Sequence, residues 1–556
     1  MRIGLLTEGG YPYLNGDAGL WCDRLVRGLG QHEFDVYALS RSRRQEDEGW
    51  VPLPPQVRRV RTGPLWMVED DGVVLGRRAR RRFAEHYDEL ATALCVPAPD
   101  SATPQADRFA NALYGLAELA RDEGGLPAAL RSETAVRALE RACRAPGARR
   151  AAREARVPEL LAVAAQLERA LRPLSFDWYE DDGLGAVDLC HAAAGGAAAL
   201  PGLLARHFTG VPLLVTEYGV RLRTHYLASG ADDTAPAVRA LLAAFHGGLA
   251  AEVYRQAACV TPGNAHARRW QERCGADRAK LRTVYPGMDA APFAEVGEAP
   301  QHAGNTLTWV GRIEPAKDLV SLLHAFAEVR KAEPGTRLRI VGAPAGAEGA
   351  AYLTHCQALA THLFPDEAEG RHAVGENPVS FEETDAFPSL AEAYASGAVI
   401  VLSSVVEGFP VGLVEAMLCG RATVSTDVGA VVEVIGGTGL VVPPRNPAAL
   451  AGACVELLRD PERRERLGAA ARARALELFT VEQNITAFHG IYLDIVSHSP
   501  VRRVVLDDTG EPLPFAVPAE AHVPGRWAGR PAHRTPAWAP GPPVRATPVS
   551  AREGAR

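Results

Sequence analysis

Two carboxylates eight positions apart, Glu407 and Glu415, bracket a turn written EGFPVGLVE. Between them lie Gly408, Phe409, Pro410, Val411 and Gly412, and the surroundings decide what chemistry this spacing could do. A β-branched run from Val399 to Leu402 leads through Ser403 and Ser404 into the Glu-Gly pair. PVGLVEAMLCG then continues with helical spacing. Pro410 suits the first helical turn, where a missing N–H costs nothing, and Gly420 suits the C-terminal cap. The loop therefore delivers the chain to a helix N-terminus, whose unpaired N–H groups and partial positive charge can bind an anion. Carboxylates beside a phosphate would repel it, so both glutamates read as acceptors for sugar hydroxyls flanking one. Two glutamates eight apart are also common as plain solvated acids in helix-rich chains. The strand, Pro410 and the glycine cap give the spacing its meaning, and together they predict a nucleotide-sugar pocket.

The elements that must position this turn alternate between strand and helix. LTWVGRIEPAKDLVSLLHAFAEVRK, TRLRIVGAP, PVSF and AFPSLAEAYASGAVIVLSS predict a parallel sheet with helices on both faces. Ligands of such sheets sit outside the carboxyl ends of the strands, where Gly311, Gly342 and Glu407 fall. Arg312 and Lys317 follow the first of these strands, and either alone reads as a surface cation. A second doubly wound region opens the chain with RIGLLT, the loop EGGYPYLNGDAG and the amphipathic LWCDRLVRGLG. It has no GxGxxG, so no dinucleotide cofactor is indicated. Gly9, Gly10, Gly16 and Gly19 would let the backbone approach a ligand closely. From about residue 65 to 175, segments rich in Ala, Arg, Leu and Glu predict an inserted helical subdomain with solvated basic faces. AVDLCHAAAGG and PLLVTEYG restore buried strands. They carry His191 and Tyr218, and Glu217, Arg221 and Arg223, close after Thr216, read as lining the acceptor side.

With 556 residues, 47% of them hydrophobic, the chain can bury more than one large core. A net charge of −7 gives no bias toward nucleic acid. Nine scattered cysteines without a CxxC pattern read as reduced apolar side chains of a cytoplasmic protein. Met1 leads directly into a strand without a secretory signal, and the most apolar long window, 186–205, is broken by Asp188, His191 and Pro201. No DxD occurs, which weakens a metal-bridged mechanism. After about residue 499 the chain fills with Pro, Arg, Ala and Gly and is expected to be a disordered tail.

EGFPVGLVE matches the E-x7-E motif of the GT-B retaining glycosyltransferases of family 4, and GRIEPAKD resembles the GRxxPxKD phrase of that family. GGYPYLNGDAGLW is similar to the opening of its PelF-like subgroup, which has a DUF3492-type N-terminal region, with Asp17 standing where a second glycine is usual. The resemblance covers 1–30 and 185–497 and leaves out the helical insertion and the tail. It implies an α/β, GT-B fold of two Rossmann-like domains facing a cleft. These are an acceptor domain over 1–300, a donor domain over 301–480, and a helix over 481–498 crossing back to the first domain. The implied reaction moves a sugar, glucose or a related hexose, from a nucleoside diphosphate donor, with UDP-glucose favoured, to a hydroxyl acceptor whose identity the resemblance leaves open. Anomeric configuration is retained, and neither cofactor nor metal is expected.

The resemblance assigns Arg312 and Lys317 to the diphosphate, Glu415 to the ribose, and Glu407 with the Phe409 to Gly412 backbone to the sugar. Gly16, Gly19, Gly311, Gly342 and Gly408 belong to the donor-binding loops. Thr426 and Glu433 fall at the pocket rim and on the following helix. Where the family carries a histidine near the donor sugar this chain has Tyr218, and His191 is a candidate substitute on the reacting side. The resemblance further implies polysaccharide or glycoconjugate synthesis in the cytoplasm, with peripheral association to a membrane polysaccharide-export assembly. Two other readings stay open. One is a sugar-nucleotide epimerase or phosphorylase on the same fold. The other is a non-enzymatic subunit of such an assembly, suggested by Tyr218.

Overall fold

The structure is a computed structural model that describes residues 1–13, 16–67, 71–97, 103–180, 182–228, 235–298, 304–365 and 377–499. The expected tail lies, from residue 500 on, outside the described residues. Among the described residues, twelve strands form two six-stranded sheets. The first holds β1 (Arg2–Glu8), β2 (Glu33–Ser40), β3 (Val57–Pro64), β4 (Leu189–Ala192), β5 (Leu213–Glu217) and β6 (Cys259–Pro262) in the order β3-β2-β1-β4-β5-β6. The second holds β7 (Thr306–Val310), β8 (Arg337–Val341), β9 (Val379–Glu382), β10 (Val399–Leu402), β11 (Ala422–Thr426) and β12 (Leu440–Val442) in the order β12-β11-β10-β7-β8-β9. Every pairing is parallel.

Both sheets therefore start in the middle, wind outward, return to the middle and wind out the other way. Each has a topological switch point, between β1 and β4 in the first and between β7 and β10 in the second. The loops leaving these strands diverge there and open a crevice at the carboxyl edge. The central strands are buried on both faces, as the continuous apolar runs IGLL and VIVL require.

Helices Arg77–Cys95, Thr103–Glu123, Glu133–Arg144 and Val157–Leu171 fill the connection between β3 and β4. They do not form a core of their own. Phe83, Leu90, Leu113 and Leu167 belong to the same buried cluster as Leu6, Leu39 and Val215 of the first sheet. The expected subdomain is thus one covering layer of the first domain, because apolar helix stripes find a sheet face to bury against. The opposite face of that sheet is covered by helix Gly16–Gly28 and by the last helix, Val481–His498. Phe488, Ile491 and Tyr492 of the last helix pack there against Leu5, Trp21 and Val36.

The two crossings between the domains run side by side. Met288 N–H donates to the Phe479 carbonyl (2.8 Å) and Val481 N–H to the Met288 carbonyl (3.1 Å). A Cβ on Gly287 would stand 2.8 Å from Val481 Cα, so the approach needs a glycine.

Candidate functional site

The site lies at the switch point of the second sheet. β7 ends at Val310 and is followed by Gly311, Arg312 and the short 3-10 turn Pro315–Lys317. β10, next to it, ends in Ser403 and Ser404 and runs through Glu407 and Gly408 into helix Val411–Leu418. Adjacent parallel strands with diverging loops thus bring together residues about 90 positions apart.

Hydrogen bonds hold these loops to each other. Lys317 Nζ pairs with Glu407 Oε1, with side chains 19% and 11% exposed, and Ser404 Oγ donates to the same carboxylate oxygen (2.7 Å). Ser403 Oγ donates to the Lys317 carbonyl (2.7 Å), Val405 N–H to the Ala316 carbonyl (2.9 Å) and Thr426 Oγ1 to the Ser404 carbonyl (2.6 Å). Glu415, half-buried, accepts from the hydroxyl of buried Tyr394 (2.7 Å). Arg312 is exposed and has no hydrogen-bond or ion-pair partner among the described residues. Glycine is needed at two points. Gly342, at φ +155°, crosses so close to β7 that a Cβ would collide with the Gly311 carbonyl. Gly429, at φ +58°, lies where a Cβ would stand 2.5 Å from the Glu407 carbonyl oxygen. A Cβ on Gly408 would meet nothing within 4 Å, so that side of the turn is open.

The start of helix Val411–Leu418 differs from expectation in detail. Pro410 caps the helix instead of lying in its first turn, and Val411 N–H already donates to the Phe409 carbonyl (3.0 Å). Leu413 N–H donates to Pro410 (3.1 Å). The Val411 amide is therefore spent inside the turn, since a tight turn after proline satisfies its own N–H first. Gly420, at φ +66°, follows the C-cap Cys419, as expected.

Across the cleft, helix Arg221–Ala228 follows β5, and Arg223 Nη2 donates to the Glu407 carbonyl (3.1 Å). Burial lowers the Arg223 pKa, and the nearby Glu407 charge opposes that shift. Glu433 makes a second tie between the domains. It accepts from the N–H of Ala265 (2.6 Å), the first residue of helix Ala265–Arg273, and from the Tyr285 hydroxyl (2.8 Å). A carboxylate at that N-terminus matches the helix dipole. Gly16, at φ +73°, is exposed with open space where a Cβ would be, and Gly10 approaches the Gly19 backbone. Gly16 and Gly19 belong to the start of helix Gly16–Gly28.

The structure corrects His191. It is fully buried in the middle of β1, β4 and β5, with Nδ1 on the Tyr492 hydroxyl and Nε2 on Thr216 Oγ1, both at 2.7 Å. Burial drives its pKa down to about 3. A histidine inside a central parallel strand faces the core, and Trp21 and Phe488 cover it there. It cannot reach a substrate. Tyr218 is half-buried in the seam beside Trp21, and its hydroxyl accepts from Asn484 Nδ2 (3.2 Å), which leaves its proton for one further acceptor. Glu217 does not line an acceptor surface either. Its buried carboxylate is bound by the hydroxyl of Tyr254 and by Gln271, and burial raises its pKa.

Sequence reasoning missed Tyr394 as the support of Glu415 and Arg223 as the residue touching the donor loop. No local pattern signals either contact, because each partner comes from a separate element.

Comparison with known proteins agrees with this architecture. Residues 1–279 match the family described as "Domain of unknown function (DUF3492)", and residues 304–460 match "Glycosyl transferases group 1". The D-inositol 3-phosphate glycosyltransferase of Thermomonospora curvata is 30% identical over 52% of this chain and 68% of its own length. Those of Kribbella flavida and Kineococcus radiotolerans are 31% and 34% identical over 49% and 36% of this chain, and 63% and 49% of their own length. The chain thus spans about half to two-thirds of the curated relatives it matches. Two solved structures share the fold. Sucrose-phosphate synthase from Thermosynechococcus elongatus has 17% identity and a TM-score of 0.53 over 89% of this chain and 99% of its own. HepE from Anabaena has 15% identity and a TM-score of 0.52 over 88% and 99%. Two switch-point sheets in tandem form a GT-B fold, and the chain belongs to the DUF3492 family, with a group 1 glycosyl transferase domain over residues 304–460.

Proposed function

We propose that this protein is a retaining glycosyltransferase that moves a hexose from a nucleoside diphosphate to a hydroxyl acceptor. The observation that carries the reading is the cluster at the β7/β10 switch point: Lys317 on Glu407, Arg312 without a partner among the described residues, and Glu415 on the helix that follows the turn. Arg312 and Lys317 are assigned to the diphosphate, whose developing charge on departure two fixed cations would stabilise. Glu415 is assigned to the ribose diol, and Glu407 with the Phe409 to Gly412 backbone to the sugar hydroxyls. The open side of Gly408 gives room for the sugar.

Retention requires no protein nucleophile here. The acceptor oxygen bonds to the anomeric carbon on the face from which the phosphate leaves. The bond from carbon to phosphate oxygen breaks, and the acceptor proton passes to that phosphate oxygen. No metal is called for, because the cations of the chain carry the charge. HepE, which shares the fold, is described in complex with UDP, so UDP is the base to try first. Glucose, a cytoplasmic place in polysaccharide synthesis and association with an export assembly rest on the resemblance to the PelF-like subgroup.

Calorimetric titration with UDP, GDP and ADP tests the donor assignment. One nucleotide should bind selectively, and its glucose conjugate should release that nucleotide on turnover. Failure of all three to bind would overturn the reading.

A further inference from the structure

The first sheet has a switch point of its own, between β1 and β4, and a cavity of about 270 Å³ opens beside it. Its lining includes Glu8 from the end of β1, Arg41 from the loop after β2, Arg169 from helix Val157–Leu171, Gly196 after β4, and Arg221 and His246 from the helices that follow β5. These are carboxyl-edge positions of one parallel sheet, closed over by the helical layer. The lining carries three guanidinium groups and a single carboxylate.

Two of the guanidinium groups are held in place, and none is used up. Arg41 Nε donates to Glu8 Oε1 (3.0 Å), and Arg169 Nη2 donates to the Arg41 carbonyl (3.2 Å). The Arg221 guanidinium has no partner among the described residues, and neither has the buried Nδ1 of His246. Each arginine carries five N–H donors, so most of the donors in this cavity remain free. A planar fork of this kind suits phosphate or carboxylate oxygens, which it can bind in pairs. Arg221 and Arg223 sit within one turn of the same helix, a pitch of about 5.4 Å. Arg223 touches the donor loop at Glu407, and Arg221 lines this cavity. The cavity is small, below the roughly 300–1,000 Å³ of a drug-sized site, and suits one monosaccharide-sized group better than the end of a long polymer.

We propose that this cavity is the acceptor site and that it selects a small hydroxyl acceptor bearing a phosphate or carboxylate group, held by Arg41, Arg169 and Arg221. The proposal rests on the glycosyltransferase reading for the word acceptor, but the anion site is testable without it. Arg169 gives the helical insertion a role, since it brings one of the three cations to the sheet edge. Glu8 sets the strength of the site by neutralising Arg41.

The experiment titrates the full chain, with UDP saturating the donor pocket, with glucose 6-phosphate, glucuronic acid, glucose and inorganic phosphate. Glucose 6-phosphate or glucuronic acid should bind at least tenfold more tightly than glucose, and the better of the two identifies the anion. Arg169→Met and Arg221→Met should each weaken that binding at least tenfold while UDP affinity stays within twofold of wild type. Glu8→Gln should tighten it. Equal binding of glucose and the anionic sugars, no binding of any probe, or anion binding unmoved by both arginine substitutions would overturn the proposal. If UDP itself fails to bind, the donor reading falls separately, and the same titrations without UDP still decide the anion site.

Discussion

Lys317 pairs with Glu407 in the unliganded protein, and on the proposed reading the donor diphosphate would compete with that carboxylate for it. This competition fixes the signs of a set of substitutions. Lys317→Met removes a cation whose side chain is only 19% exposed, and it leaves Glu407, 11% exposed, facing the phosphate with Ser404 as its remaining side-chain partner. A hydrogen bond to a charged group is worth about 1.5–3 kcal/mol, and each 1.4 kcal/mol is tenfold in Kd. UDP binding should therefore weaken roughly tenfold to a hundredfold, with repulsion from the unpaired carboxylate adding to the loss. Glu407→Gln should act in the opposite direction on UDP, tightening it a few-fold by releasing Lys317 from its competitor, while turnover of the sugar nucleotide falls. The double substitution should recover part of the affinity lost in Lys317→Met, so the two effects do not add. Calorimetric titration of the four proteins with UDP reads the affinities, and nucleotide release from the sugar nucleotide reads the turnover. A Lys317→Met protein that is folded and binds UDP within twofold of wild type would refute the diphosphate assignment.

Three other perturbations test separate parts of the account. Glu415→Ala should weaken UDP roughly tenfold or more, and Tyr394→Phe, which removes the tyrosine hydroxyl's hydrogen bond to that carboxylate, should cost a few-fold; in the Glu415→Ala background it should add nothing. Arg223→Ala cuts the tie between helix Arg221–Ala228 and the Glu407 carbonyl, so donor KM should rise several-fold while the melting temperature stays near wild type, as a thermal-shift assay run beside kinetics would show. His191 is buried and neutral, with a pKa near 3 against an ordinary value of 6.5. The unfolded chain binds its proton first on acidification, so the contribution of His191 to stability is fully present above about pH 6.5 and is lost as pH falls from there toward about 3, by up to about 1.4 kcal/mol per pH unit. Urea unfolding at pH 7.5, 6 and 5 measures that slope. A flat profile would contradict a neutral buried histidine.

The strand-turn-helix stretch proposed to hold the donor is the part of the structure most legible from sequence, and the reason is local. Strand, turn, Glu407, capping proline, helix and Glu415 occupy one continuous stretch, and each residue is constrained by backbone chemistry that a pattern records. Arg312 and Lys317 sit in a second short phrase directly after a strand. The edge strand β3 illustrates the opposite case, since VRRVRTGP places Arg58, Arg59 and Arg61 in a strand without a continuous apolar run. An edge strand with a solvated side does not need one. His191 misled because a histidine before a glycine turn reads as a strand-end residue, whereas the register pairs it with Leu5 and Leu214 in the centre of the sheet. Arg41, Arg169 and Arg221 could not be read as a group. They are far apart in sequence, lie among many other arginines, and meet only because two windings of one sheet bring their loops to the same edge.

A crystal structure of the protein grown with millimolar UDP tests the central claim most directly. The account predicts the ribose hydroxyls within hydrogen-bonding distance of Glu415, the diphosphate on Arg312 and Lys317 with the Lys317–Glu407 pair loosened, and the β-phosphate beside the Gly408 turn. Nucleotide bound elsewhere, or oriented with its ribose away from Glu415, would contradict it.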